Sequence, residues 1–419
     1  MKVLIVGSGG REHAIAWKLA QSDKLTELIC APGNPGIAEH ARLIAADPED
    51  VEQICEICKS EKPELVVIGP EVPLAKGMTD SVEALGIKVF GPNKKCSQLE
   101  ASKNFTKEFL ARHEIPTAEY RKYSNREEIL KNIGIFGWPM VIKADGLAAG
   151  KGVVLAENEA TARKAIDEMM VEKVHGDAGN NIVVEECLMG VEASVLCFVD
   201  GSAIVPMASA QDYKRIFDKD KGPNTGGMGT YSPNLVFTPE LEEQIRTRIL
   251  QPTFNGFKKD GLDFRGVLFI GLMITESGPK VIEFNNRFGD PEAQSVLRRL
   301  NSDLLEIFLA VCDDRLSEQE IKWSDTRVVT VVMASAGYPG KYDKGLAITD
   351  LDGLDEDIVV FHAGTKTDAD GKLVTSGGRV LGVSATGTSH EEARSTAYDN
   401  IKKINFKGAQ YRSDIGVVY

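Results

Sequence analysis

With 419 residues, the chain is long enough for roughly two to four domains, each with its own core. Hydrophobic residues at 42% and charged residues at 26% are ordinary for a soluble globular protein, and the net charge of −13 argues against a nucleic-acid-binding surface while leaving room for a local basic pocket. Nothing approaches the run of about 20 apolar residues that crosses a membrane, and the apolar stretch 3–6 is too short for a signal-peptide core, so a cytoplasmic, monomeric enzyme acting on small molecules is expected.

Residues 2–6 predict a buried strand that runs into GSGGREH (7–13), with a helix over 14–21. Strand, glycine turn and helix make the first unit of a doubly wound parallel sheet, and the helix N-terminus favours an anion. A dinucleotide fingerprint needs a third glycine where Glu12 stands, and that carboxylate repels a pyrophosphate. A single phosphate beside Gly9, Gly10 and Arg11 fits better. Strands over 28–30 and 65–68 end in APGNPG (31–36) and GPEVP (69–73), which brings Asn34 and Glu71 to the same crevice at the carboxyl ends of the strands. A fourth strand over 87–90 closes the unit.

The seven cysteines follow no regular spacing, which suggests reduced thiols. Cys55 and Cys58 form a lone pair in a helix-like segment, and packing explains them better than metal binding. The six histidines have no ligand spacing either.

One amphipathic helix is expected over 97–113, bridging two domains. The stretch 140–155 then reads as two strands around a glycine-rich loop (Gly146, Gly150, Gly152) flanked by Lys143 and Lys151, suited to phosphate oxygens. It is not a Walker A loop: the glycine spacing is short, Gly152 replaces the Ser or Thr, and a strand follows. After a helix over 160–173, a strand over 181–190 ends in Glu185 and Glu186 and leads through a short linker to Glu192 and a strand over 193–199. Such a linker suits an adenine and a ribose. Residues 210–215 and 222–229, with Asp212, Lys214 and Gly229, read as a flexible polar loop facing substrate. In KVIEFNNRFGDPE (280–292), Glu283 and Asn285 share a strand face and offer hard oxygens to Mg²⁺ or Mn²⁺, and Arg287 continues that face towards a phosphate.

Together, VIKADGLAAGKG (141–152), VVEECL (183–188) with Glu192, and VIEFNNRFGDPE (281–292) resemble the ATP-grasp superfamily. The fuller set, with GSGGREHA, APGNPG, GPEVPL, SKNFTKEFLARHEIPTAEY, QDYKR and GPNTGGMG, is similar to the phosphoribosylamine–glycine ligase family, and the likeness runs the length of the chain. The resemblance implies ATP-dependent ligation of glycine to 5-phosphoribosylamine through a glycyl phosphate. It implies that Lys103 and Lys143 contact ATP phosphates under the loop Gly146, Gly150, Lys151 and Gly152. Glu185, Glu186, Cys187 and Leu188 would surround the adenine, Glu192 would hold the ribose, and Glu283 and Asn285 would hold Mg²⁺ or Mn²⁺. Arg287 and Asp290 would lie by the acyl phosphate and the incoming amine. Glycine would sit near Asp212, Lys214 and Gly229. The ribosylamine phosphate would sit at Gly9, Gly10 and Arg11, with Asn34 and Glu71 close by. The strand over 268–275 carries no carboxylate where related ligases often place another metal ligand.

The implied fold combines α/β and α+β parts. Residues 1–103 form a Rossmann-like substrate domain, 104–325 an ATP-grasp domain with a mobile lid at about 120–193, and 326–419 an antiparallel cap of short strands (327–334, 345–351, 358–364, 373–374, 379–385) with a helix over 390–404. A turn explains Gly377-Gly378-Arg379 better than a phosphate contact. Three other readings stay open: an ATP-grasp ligase for a different acid or amine, an oxidoreductase using loop 7–10, and a non-catalytic nucleotide sensor. Glu12 and the Glu283/Asn285 pair oppose the oxidoreductase, and the presence of Lys143 and Glu283 opposes the sensor.

Overall fold

A computed structural model of the chain describes residues 1–148 and 152–417. The four apolar runs near the N-terminus become β1 (Lys2–Gly7), β2 (Glu27–Pro32), β4 (Leu65–Ile68) and β5 (Lys88–Phe90) of one parallel sheet. β3 (Arg42–Leu43) extends its edge; two exposed residues carry no periodic pattern, and the sequence reading missed them. β1 and β4 are buried on both faces, hence their unbroken apolar runs. The strand order β3-β2-β1-β4-β5 reverses between β1 and β4, so the loops after these two strands open on one crevice.

Helices α1 (Gly10–Leu19), α2 (Val51–Glu61), α3 (Glu71–Lys76) and α4 (Met78–Glu83) connect the strands. Asp50 caps α2 by accepting from the Gln53 amide at 3.0 Å, and Cys58 is buried in the core beside Leu4 and Val6, in line with packing rather than metal chemistry. All seven cysteines are free.

The helix expected over 97–113 is two: α5 (Gln98–Ala101) and α6 (Lys103–Arg112). Ser102 between them is extended, and its hydroxyl caps α6 by accepting from the Phe105 amide at 3.1 Å. The break puts Lys103 in the first turn of α6. Next, β6 (Tyr120–Tyr123), β7 (Met140–Ala144), β8 (Val153–Ala156) and β9 (Ile182–Glu186) form an antiparallel sheet in the order β6-β9-β7-β8. Behind it pack α7 (Arg126–Lys131) and α8 (Glu159–Met170), whose Ala162, Ile166 and Met169 meet Ile142 and Ile182. β7 and β8 are the paired strands expected around the glycine loop, but Gly150 and Lys151 of that loop lie outside the described residues.

β10 (Val191–Val199) and β11 (Ile204–Pro206) join β16 (Gly266–Thr275) and β17 (Gly278–Asn285) in a second antiparallel sheet, ordered β11-β10-β16-β17. The polar stretch 210–229 is not a free loop. It supplies β12 (Gln211–Asp212), the hairpin β13 (Arg215–Phe217) and β14 (Lys221–Asn224), and β15 (Gly229–Ser232). Its polarity is absorbed by ion pairs: the fully buried Arg412 bonds Asp220 and Asp414 at 2.7 Å and the Arg215 carbonyl at 3.1 Å. Helices α9 (Pro239–Ile245), α10 (Gln251–Asp260), α11 (Glu292–Arg299) and α12 (Leu304–Cys312) follow in the chain, with α11 wedged between α1 and the last sheet.

That last sheet runs β12-β15-β18-β22-β19, with β18 (Arg327–Ala334), β19 (Val359–His362) and β22 (Arg379–Gly387) covered by α13 (His390–Ile401). A small hairpin, β20 (Thr365–Thr367) and β21 (Leu373–Thr375), lies apart. The strand expected over 345–351 is absent; Ala347 and Thr349 make only isolated bridges to Val374 and Asn405.

Candidate active site

The crevice between β1 and β4 is lined by paired charges. At the start of α1, Glu12 turns back to accept from the Gly9 amide and the Arg11 Nε, both at 2.6 Å. The loop thus satisfies its own amide where a pyrophosphate would need it. Gly10 is held close to α11, since a Cβ there would lie 2.5 Å from Gln294 Nε2. Arg11 is buried, donates to the Phe288 carbonyl at 3.3 Å and lies 3.9 Å from Glu71. Glu71 also sits 3.6 Å from Arg287 Nε. Burial works against the Glu71 charge, but Arg287 and Arg11 hold its carboxyl below the usual range. Arg287 reaches on to Glu100 at 3.1 Å, whose other oxygen accepts from the Asn286 amide at 2.7 Å. Burial pushes the Glu100 carboxyl up despite Arg287.

Asp290 stands beside this chain of charges. One oxygen accepts from Gln294 at 2.8 Å, the other pairs with Arg379 at 2.9 Å, and Arg379 also donates to the Gly226 and Asp290 carbonyls. Burial opposes the Asp290 charge, while Arg379 and Arg11 keep its carboxyl low. The residue read as part of a turn is therefore the point where β22 enters the crevice. Asn34, expected on substrate, is instead spent on structure. Its amide donates to the Ser8 and His362 carbonyls, both at 2.8 Å, and its oxygen accepts from the Ile37 amide at 3.0 Å. Asn34→Ala is expected to lower stability by about 2 kcal/mol, because it orphans three backbone groups, two of them buried; urea unfolding measures this.

The second part of the site lies on β17. A bulge at Ile282, where Gly271 faces Glu283 but Leu272 faces Val281, places both Val281 and Phe284 in the core and turns Glu283 and Asn285 to the cleft. Burial opposes the Glu283 charge, yet Lys103, Lys214 and Lys143, with Asn285 as donor, hold its carboxyl down at about 2. Glu283 and Asn285 thus present two hard oxygens on one face, a pair that could hold a divalent cation. Among the described residues no three His, Cys, Asp or Glu form a closed metal cage, so such a cation would take its other ligands from phosphates and water.

Lys143 is buried on β7 and donates to Glu185 at 3.0 Å and to the Ile282 carbonyl at 3.3 Å. Asp145, two residues on, accepts from the Ser102 hydroxyl (3.0 Å), the Asn104 amide (3.1 Å) and Asn104 Nδ2 (2.6 Å), which ties the glycine loop to the first turn of α6 beside Lys103. Gly146 packs so closely that a Cβ would lie 2.5 Å from Ala178, and one on Gly152 would lie 2.7 Å from Ala148. Glu186 accepts from the Glu119 amide at 3.0 Å and pairs with Lys280 at 3.2 Å; Cys187 and Leu188 follow in the linker to β10. Glu192 is half exposed and pairs with Lys214 at 3.2 Å.

Beside Lys214, Asp212 has a buried Oδ1 with no hydrogen-bond partner. Burial first, then Glu292, pushes its carboxyl well above the usual range, against Lys214 and Arg379. Gly229 opens β15, where a Cβ would come 2.7 Å from the Thr330 carbonyl of β18. Glu100, Lys107, Glu292 and Arg379 were missed as site residues. Glu292 ends the motif that carries Glu283, and Arg379 follows two glycines; those were the available signals.

Three family descriptions match in succession: phosphoribosylglycinamide synthetase N domain over 1–100, its ATP-grasp domain over 101–293, and its C domain over 328–418. The phosphoribosylamine–glycine ligase of Agrobacterium fabrum is 50% identical over 416 residues, 99% of this chain and 98% of that protein. Among solved structures, a phosphoribosylamine–glycine ligase from Thermotoga maritima superposes with a TM-score of 0.87 at 34% identity, covering 99% of this chain and all of that one. The biotin carboxylase domain of the Hydrogenobacter thermophilus 2-oxoglutarate carboxylase, solved with MgADP, shares the fold with a TM-score of 0.76 at 18% identity, covering 98% of this chain and 91% of that one. On sequence along its whole length and on fold, the chain belongs to the phosphoribosylglycinamide synthetase family of ATP-grasp ligases.

Proposed function

We propose that the protein joins glycine to 5-phosphoribosylamine at the expense of ATP, forming glycinamide ribonucleotide, ADP and phosphate in purine biosynthesis. The observation that carries this reading is the convergence of Lys103, Lys143 and Lys214 on an ionised Glu283, next to a separate arginine-rich crevice. One side suits a nucleotide triphosphate, the other a phosphorylated sugar.

Lys103 and Lys143 take the ATP phosphates, and the loop from Gly146 to Gly152, with Gly150 and Lys151, covers them. Glu185, Glu186, Cys187 and Leu188 surround the adenine, and Glu192 takes the ribose hydroxyls. Glu283 and Asn285 would hold Mg²⁺ or Mn²⁺, which offsets the charge of the phosphates. Asp212 offers its unpartnered Oδ1 to the glycine ammonium, between Lys214 and Gly229. The glycine carboxylate attacks the terminal phosphorus, ADP leaves, and the ribosylamine nitrogen then attacks the acyl carbon and expels phosphate. Arg287 and Asp290 orient that amine, and Gly9, Gly10, Arg11 and Glu71 hold the ribosylamine phosphate and sugar. The chain supplies position and charge, and no side chain needs to act as a nucleophile.

Three parts, 1–103, 104–325 with the lid at about 120–193, and 326–419, divide this work. The lid reading is supported by the separate sheet of β6 to β9 with its own core. A monomer in the cytoplasm completes the reading, and seven free cysteines fit a reducing compartment. No helix among the described residues is long and apolar enough to cross a membrane.

The test is ADP release from purified protein with ATP, Mg²⁺, glycine and freshly generated phosphoribosylamine, leaving out one component at a time. Release is expected only when all are present. Equal release with a different acid or amine would keep the nucleotide site and discard these substrates.

A further inference from the structure

We propose that Lys107, outside the set of nucleotide contacts, is a positioning residue that keeps the charge of Lys143 available for a phosphate. The proposal rests on the reading of this cleft as an ATP site. Lys107 lies on α6, Lys143 on β7 and Glu185 on β9, and all three side chains are at most 5% exposed. Both ammonium groups form ion pairs with the same carboxylate oxygen, Glu185 Oε2, at 3.1 and 3.0 Å, while Oε1 has no hydrogen-bond partner.

Counting oxygen neighbours separates the two lysines. An ammonium has three N–H donors. Lys107 donates to the Thr117 hydroxyl at 2.8 Å and the Ala118 carbonyl at 3.4 Å and has Glu185 Oε2 as a third oxygen neighbour at 3.1 Å. Lys143 has two such neighbours among the described residues, Glu185 and the Ile282 carbonyl, so the third direction of its ammonium is unfilled. A ligand oxygen would have to displace one of three oxygens at Lys107, and none at Lys143. Charge points the same way. One carboxylate between two ammonium groups leaves this trio with an excess positive charge, and of the two lysines it is Lys143, which also faces Glu283, that has an unfilled side.

Lys107 also links the lid to the strand of Glu283. The Thr117 hydroxyl that anchors it donates in turn to the Val281 carbonyl at 2.6 Å, next to the Ile282 carbonyl that holds Lys143. Without Lys107, Glu185 has Lys143 as its sole cation. It would neutralise Lys143 and draw it away from the phosphate.

Lys107→Met is expected to raise the KM for ATP and the Kd for Mg·ADP about tenfold, the size of effect seen when a partner that orients a ligating group is lost. The KM for glycine should stay within about twofold, because the substrate side of the cleft is untouched. Lys107→Arg should recover most of the loss. Thr117→Val, which keeps the lysine but frees its end, should give a smaller rise in both ATP constants. Burial brings the Lys107 ammonium down to about 8, against the pull of Glu185 and with Lys143 pressing the same way. Glu186 and the Tyr120 ring, whose centroid is 5.4 Å away, complete the groups facing it. The KM for ATP of the unmodified protein should therefore climb above pH 8 more steeply than that of Lys107→Met.

Calorimetry with Mg·ADP, thermal melting and initial rates decide the matter. A Lys107→Met protein with unchanged ATP and ADP constants would overturn the inference alone. So would one whose glycine and ATP constants worsen equally along with its melting temperature. An unmodified protein that binds no Mg·ADP would overturn the nucleotide reading and this inference with it.

Discussion

Glu283→Ala is expected to lower turnover by about a thousandfold, roughly 4 kcal/mol of transition-state stabilisation, with the fold intact. Lys103, Lys143 and Lys214 all act on this carboxylate, and it is ionised against its burial. Without it the cleft keeps three cations and loses a hard oxygen donor, so phosphate charge is no longer held in a fixed geometry. Stability should change little. Lys143 keeps Glu185 and Lys214 keeps Glu192, so neither is left unpaired. With its carboxyl at about 2, Glu283 stays ionised down to pH 4, and no acid limb of the rate between pH 4 and 8 should belong to it. Initial-rate ADP release, with circular dichroism as the control for folding, measures both effects. A Glu283→Ala protein working at the normal rate would remove the proposed metal site from β17.

Arg287→Leu should damage stability and turnover together. Its guanidinium is the cation nearest Glu100, at 3.1 Å, and one of two beside Glu71. Removing one partner of a buried pair leaves an uncompensated charge and costs about 3–5 kcal/mol. Replacing Glu100 by Gln leaves no such charge and should cost far less. The pH dependence has a definite sign. Burial already lifts the Glu100 carboxyl above its unfolded value, so its contribution to stability is present below that value and is lost as pH rises through the folded one. Glu71, held low chiefly by Arg287, contributes stability above its unfolded value and loses part of it in the variant. Both effects widen the gap between the two proteins as pH rises. Urea unfolding at pH 7 and near pH 4.5 should show a smaller gap at the lower pH; a constant gap would mean that these carboxylates do not depend on Arg287.

What could be read in advance followed from local rules. β1, β2, β4 and β5 were legible because a strand buried on both faces must be apolar throughout, and because Gly and Pro mark where each one stops. Glu283 and Asn285 were legible because two oxygen donors on a strand otherwise apolar ask for a partner. The bulge at Ile282 was not, since nothing local separates it from regular alternation. Ser102 reads as one more helical residue, but in the fold Asp145, just after β7, accepts from it and bonds the turn it starts. Residues 345–351 alternate like a strand but find no neighbouring strand to pair along their length. Nothing in the sequence singles out Glu100 and Lys107, and Arg379 reads as part of a turn, because the partners that bury them are distant in sequence: Arg379 meets Asp290 across 89 residues and Glu100 meets Asn286 across 186. Burial of a charge is a property of the assembled fold, and a short window of sequence does not contain it.

The place of β15 in the last sheet bears on how the protein is made. Residues 229–232 lie beside β18 in that sheet, with Gly229 opposite Val331 and Ser232 opposite Val328. On a ribosome adding about 5–20 residues per second, the 95 residues between Ser232 and Val328 take roughly 5–19 s to appear, and β22 comes later still. Throughout that interval the nascent chain carries β12 and β15 without the strand that covers them, and an unpaired edge of that kind is a target for chaperones and for other nascent chains. The segment that bears Asp212 takes its final shape only once the tail has been translated. A half-made chain can fold its first sheet at leisure, but it cannot begin to work.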